Sequence, residues 1–329
     1  MHARFLPGLC LIAAAALPAF SAAAQTAPDP APAAQPAPST EIEVRGKREI
    51  DKAIVADNIE QLTTRIPMLD VVPRFHQPLC LHVVGPDMAA NEIIAERITT
   101  AATAVGLKKP KPKCRENALV ITIDEPQRLF DKLVSRRHWL VGDGGRDVSL
   151  VRLRDELASG KPAMAWNRTN LANAGLNFVN FPQEAPFQRI NRASRMVGHI
   201  YRSKILAVVV FDATRIGEAT PQQLGDYAAM HLLTTPNRDI DFSAVSTRSI
   251  LSLFAQGPEL APGALTAFDR AYLEGVYAVG QNGWHGKVNR AVLDAYEAQC
   301  AVQDPEADCQ FAVPEDALPQ PASANSTSN

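Results

Sequence analysis

Tyr227 and His231 are the pair whose types and spacing come nearest to a reactive site in this chain. They stand four positions apart in the stretch 220–235, TPQQLGDYAAMHLLTT. A helix would place them on one face, one turn apart. The pattern to measure them against is H-E-x-x-H, in which two histidines hold zinc and the glutamate takes a proton from the metal-bound water. Two registers can be laid on it. With Asp226-Tyr227 in the His-Glu positions, Met230 falls where the second ligand belongs. With Tyr227 and His231 as the two ligands, Ala228 falls where the base belongs. Neither register has a glutamate, and neither has two histidines. One imidazole without a base is poor equipment for hydrolysis. The plainer reading of His231 is a histidine at the edge of a core, held by one hydrogen bond.

Other reactive patterns fare no better. There is no G-x-S-x-G elbow. The glycine-rich run His138 to Gly145 lacks the Lys-Ser/Thr ending of a phosphate loop and the G-x-G-x-x-G spacing, so its glycines read as turn residues. His76, His82, His138, His199, His231 and His285 are scattered, and none is paired at metal-ligand spacing. No catalytic residue, metal ligand or cofactor follows from the sequence. The candidate binding residues are Trp166, Tyr227 and His231. Trp166 enters because a long irregular stretch, Asn170 to Arg195, follows the short apolar run PAMAW, 162–166. A loop of that length beside an edge strand is a place for a ligand.

Four cysteines remain once Cys10 is set aside: Cys80, Cys114, Cys300 and Cys309. Cys10 lies in a leader. Met1 to Ala24 has a short basic start, an apolar run from Phe5 to Phe20 and a small-residue site before Gln25, the layout of a secretory signal. An even number of cysteines in an exported chain points to two disulfides. Three pairings are open, and Cys80–Cys114 with Cys300–Cys309 is the favoured one. Zinc is the rival use, but no C-x-x-C supports it. The expected location is periplasmic or secreted, with no membrane-spanning segment after cleavage.

The chain of 329 residues carries 33 basic and 35 acidic groups, a net charge of -2. That balance gives no electrostatic reason to expect nucleic acid. Lys108 to Lys113 alternates lysine with proline and reads as a solvated loop. The stretch 25–65 opens with Ala/Pro repeats and is expected to be a disordered linker. Within it Glu41 to Arg48, EIEVRGKR, resembles the short peptide that precedes the plug of TonB-dependent receptors. A globular domain is expected over 66–300 and a disordered tail over 301–329.

The elements that would position these residues follow from periodicity. Leu79 to Val84 and Ala118 to Ile123 read as strands. Between them Asp87 caps a long amphipathic helix reaching Val105. Pro126 to Arg137 and Asp147 to Ala158 are helices. Met196 to Tyr201 and Ile205 to Phe211 are expected to form a hairpin across Arg202 to Lys204. Thr220 caps the helix that carries Tyr227 and His231, with Pro221 in its first turn. Thr266 caps another, with Asp269 as its box partner. Gly286 to Cys300 carries the last.

This order resembles the zincin-like layout of secreted metallopeptidases. It looks most like a family of bacterial envelope proteins of unknown function, on three features. They are Cys114 before Ala118 to Ile123, the run Ser249 to Phe254, and Leu265-Thr266 with Asp269, Leu273 and Tyr277. The resemblance implies an α+β single domain: a small mixed sheet packed by helices, with a degenerate metal-binding helix. It carries over no ligand and no catalytic residue. The function expected is a non-catalytic envelope protein that binds or scaffolds an unknown envelope protein or small ligand. The alternative is a hydrolase whose site the sequence does not display.

Overall fold

The run Ile205 to Phe211 is apolar at every position, so neither of its faces can be left to water. The computed structural model describes residues 50–64, 71–142, 147–173, 200–280, 283–302 and 309. The leader, the peptide Glu41 to Arg48, most of the long stretch after Asn170, and all of the tail from Val302 except Cys309 lie outside the side chains it describes. Within them the apolar run occupies the middle of a four-stranded sheet. Helix α1 is Lys52–Leu62, strand β1 Leu81–Val84, α2 Met88–Ala104, β2 Ala118–Ile123, α3 Pro126–Arg137 and α4 Asp147–Ala158. Then come β3, Ala163–Asn173, and β4, Ile200–Asp212. The chain ends in α5 Pro221–Leu233, α6 Leu253–Gln256, α7 Ala267–Ala278 and α8 His285–Val302. The strand order is β1-β2-β4-β3. The first three are parallel, and β3 runs antiparallel along β4. This is a single-domain α+β layout with a mixed sheet.

Side chains of a strand alternate between faces, and two separate cores result. Ala118, Val120, Ala207, Val209 and Phe211 face the larger one, with α1, α2, α5, α7 and α8. Met164, Trp166, Leu206, Val208 and Val210 face the smaller one, where Phe130 of α3 and Leu153 of α4 close it. Edge strand β3 follows the same rule: Ala163 and Ala165 pack toward the α5 side, Met164 and Trp166 toward the α3 and α4 side.

Three sequence expectations are corrected. The hairpin across Arg202 to Lys204 is a single strand, β4, because β3 pairs with it from Ala163 to Asn173 and holds it extended throughout. The edge strand is correspondingly longer than PAMAW. The segment assigned to the linker also contains α1: Val55, Ile59 and Leu62 are buried in the larger core, and Asp51 caps the helix through its carboxylate. Val55, Ile59 and Leu62 recur at helical spacing along the one covered face of an otherwise polar helix.

Cys80 is bonded to Cys114, and Cys300 to Cys309. The first bond joins the approaches to β1 and β2. Asn117 reinforces it, accepting from the Cys80 amide at 2.7 Å and donating to the Pro78 carbonyl at 3.0 Å.

Candidate functional site

The site begins with how α5 is held. Thr220 and Gln223 form a reciprocal capping box at its first turn, and Pro221 fills the first helical position without wasting a donor. The helix lies close against α2. A methyl group at Gly225 would sit 2.8 Å from the Arg97 Cβ. That proximity lets the Arg97 guanidinium grip Asp226 with Nε at 2.8 Å from Oδ1 and Nη2 on Oδ2. The Leu265 amide donates to the same carboxylate at 2.8 Å. Asp226 is therefore fully engaged. The carboxylate nearest to the metal-helix register is a structural anchor. The fork geometry and the hydrogen bond keep the Arg97 charge even more firmly than usual.

The C-terminus of α5 is held by a buried lysine. Lys204 has no exposed surface. Its Nζ donates to the carbonyls of Leu232 at 2.9 Å, His231 at 3.4 Å and Thr234, and to Asn167 Oδ1 at 3.1 Å. Strict alternation along β4 would send Lys204 toward α3 and α4, with Leu206 and Val208. A register shift between Arg168 and Thr169 places Lys204, two residues before Leu206, opposite Thr169. The extra residue, Ile205, reverses the alternation. Lys204 thus reaches α5, where helix-end carbonyls favour a cation. Burial drives its pKa well down, and the four oxygens oppose that by stabilising the ammonium form.

Arg74 does the same for α7. It donates to Val276 O and Val279 O at 2.6 Å and to Gly280 O at 2.8 Å. The two devices are neighbours, since the Lys204 amide donates to Arg74 O at 2.8 Å. Tyr277 joins the helix ends by donating to Leu233 O at 3.0 Å.

On its other face α5 borders a cleft of about 90 Å³. Tyr227 and His231 form one wall, Ala163 and Ala165 of β3 the floor, and the loop Pro236 to Phe242 the second wall. The two rings lie 4.5 Å apart, and Tyr227 packs edge-on against Phe254 at 5.0 Å. The Tyr227 hydroxyl and the His231 ring nitrogens have no hydrogen-bond partner among the described residues. Burial, then Arg238 and Lys204, drive the imidazole down to about 3, so it is neutral across the physiological range. Burial raises the Tyr227 phenol above its usual value, so it stays protonated and can donate.

The charged rim is partly committed. Glu156 accepts from Arg238 at 2.8 Å and lies 3.7 Å from Arg152, and Arg152 reaches Asp239 at 2.5 Å. Lys161 has no ion-pair partner among the described residues.

Of the three binding candidates, the structure brings two together. Tyr227 and His231 share the cleft. Trp166 stands on the opposite face of β3, buried in the smaller core, and donates from Nε1 to Leu140 O at 2.8 Å. Alternation separates it from Ala165 by the thickness of the sheet. Sequence reasoning passed over Arg238, Lys161 and Glu156, which lie on a loop, a turn and a helix end with no shared local signal.

No known family model matches this chain. Neither a curated protein nor a solved structure matches it. Among the described residues no group of three or more His, Cys, Asp or Glu could hold a metal ion, and no helix is long and apolar enough to cross a membrane.

Proposed function

We propose that this is an exported, non-catalytic protein of the cell envelope that binds a small ligand or a partner segment in the Tyr227–His231 cleft. One observation carries the reading. The cleft presents a hydroxyl and a neutral imidazole with their hydrogen-bonding capacity unspent, while Glu156, the carboxylate that lines it, is held by Arg238, and Asp226 on the other face of α5 by Arg97. Groups without partners beside an opening are suited to recognition. A base that could activate water would need a carboxylate free to accept a proton within reach of it. The two disulfides favour an oxidising compartment, which supports export.

The test is a titration of the mature protein with a small set of acids, amines and neutral compounds, read by amide and side-chain NMR shifts. Shifts should gather at Ala163, Ala165, Tyr227 and His231. A parallel assay of peptide and ester hydrolysis, with and without added zinc, should stay at background. Turnover that disappears in His231→Ala would replace the binding reading with the hydrolase one. A set of compounds that leaves the cleft unshifted would remove the binding reading itself.

A further inference from the structure

We infer that the cleft selects a carboxylate carried on a short apolar chain, either a small free acid or the C-terminal carboxylate of a peptide. The inference rests on the binding reading above and names the chemistry of its ligand.

Three observations lead to it. The first is charge. The charged residues that line the cleft are Lys161, Arg238 and Glu156, and Glu156 is paired with Arg238. Two cations against one carboxylate leave one positive charge, and Lys161 is the group without an ion partner among the described residues. A single negative charge would balance the set, and a cation would be repelled from it.

The second is the donor set. Arg238 spends Nη1 on Glu156, and among the described residues its guanidinium has no other hydrogen-bond partner. A guanidinium carries five N–H donors in a planar fork that matches a carboxylate. The Tyr227 hydroxyl adds a donor from the α5 wall. A neutral His231 offers one N–H and one acceptor, and its tautomer can turn the N–H toward an incoming oxygen.

The third is the wall. Ala163, Ala165, Pro236, Ile240, Phe242 and Leu251 supply an apolar lining beside those donors. Phosphate or sulfate would turn hydrated oxygens against that surface, at the cost of desolvating them without partners. A carboxylate with a few methylenes places its charge at one end and its apolar part at the other. The cleft of about 90 Å³ has room for such a group.

Calorimetric and NMR titrations with pentanoate, pentanamide, pentylamine, inorganic phosphate, and N-acetyl-Ala-Val as the free acid and as the amide test this. The acids should bind at least tenfold more tightly than their amides, the amine and phosphate should not compete, and Lys161→Gln should weaken pentanoate about threefold. Lys161 is exposed on the rim, so that variant should fold normally. Raising the salt concentration should weaken the acids and leave the amides unchanged, which checks the charge without any variant. Tighter binding of the peptide acid than of pentanoate would identify a peptide terminus as the source, and the reverse a free acid; either result supports the inference. Amides or amines that bind in the cleft as well as the acids would overturn it while leaving the binding reading standing. A cleft that no probe shifts would take the binding reading down with it.

Discussion

The two faces of α5 carry polar groups of similar kind and treat them in opposite ways. Toward α2 and the chain before α7, Gln223 and Asp226 are matched at every turn. The Gln223 amide donates to Pro258 O and Pro262 O, and Asp226 takes a guanidinium fork and a backbone amide. Toward β3, Tyr227 and His231 border a cleft and their side-chain polar atoms have no hydrogen-bond partner among the described residues. A buried polar group with all its partners specifies packing, because losing any one partner strands the others. A polar group left open beside a cavity contributes little to packing and keeps its capacity for something that enters.

That contrast can be broken first at its structural side. Asp226→Ala strands the Leu265 amide and removes the partner of an Arg97 side chain that is 35% exposed, and should destabilise the fold by about 3 kcal/mol. Urea denaturation that finds less than about 1 kcal/mol would mean the pair is not an anchor. Lys204→Met keeps the volume of the side chain but uncaps the carbonyls at the end of α5. A loss of about 3 kcal/mol is expected, and an unchanged midpoint would show that water satisfies those carbonyls instead.

Titration sharpens the comparison next. His231 is lowered to about 3 by burial, Arg238 and Lys204, and His76 to about 4 by burial and Arg74. A histidine whose folded pKa lies below its unfolded value stabilises the fold above about pH 6.5. That stability is lost as the pH falls toward the folded value. Asp269 works the other way. Burial raises it to about 6 against hydrogen bonds from Ser249, Ile250 and Thr266, so its contribution is present below its unfolded pKa and lost as pH rises through 6. Two histidines outweigh one carboxyl, and stability should fall by roughly 2 kcal/mol between pH 7 and pH 5. His231→Gln should remove most of that dependence, because Asp269 offsets much of what His76 alone contributes. An unchanged pH profile in the variant would show that the imidazole is not held neutral.

The smallest effect is the most telling for the cleft. Tyr227→Phe removes a hydroxyl without a partner among the described residues and keeps the ring against Phe254. Stability should change by less than about 0.5 kcal/mol, while pentanoate affinity should drop measurably. A large loss of stability would place that hydroxyl among the structural groups after all.

Much of the framework was open to a reader of the residues, because it is written in local chemistry. Thr220, Thr266 and Asp87 announce helix starts by accepting from amides two or three positions on. The run Ile205 to Phe211 announces a strand covered on both sides. The positions of Tyr227 and His231 on one helical face were equally plain. The cleft was not. Its floor is two alanines, chosen for being small, and its rim is assembled from residues 156, 161 and 238, whose meeting depends on how α4 and the loop after α5 close over β3.

By itself the sequence settled the helices and strands from β1 to β2, the apolar strand Ile205 to Phe211, the caps Asp87, Thr220 and Thr266, and the lack of a proton acceptor at the Ala228 position. Those properties depend on neighbours within about one turn or one strand pair. Only the folded chain decided that Trp166 faces away from His231, that Lys204 turns across the sheet to close α5, and that Asp226 is spent on Arg97. Each depends on long-range register, where one extra residue at Ile205 is enough to reverse the face on which a charge is buried.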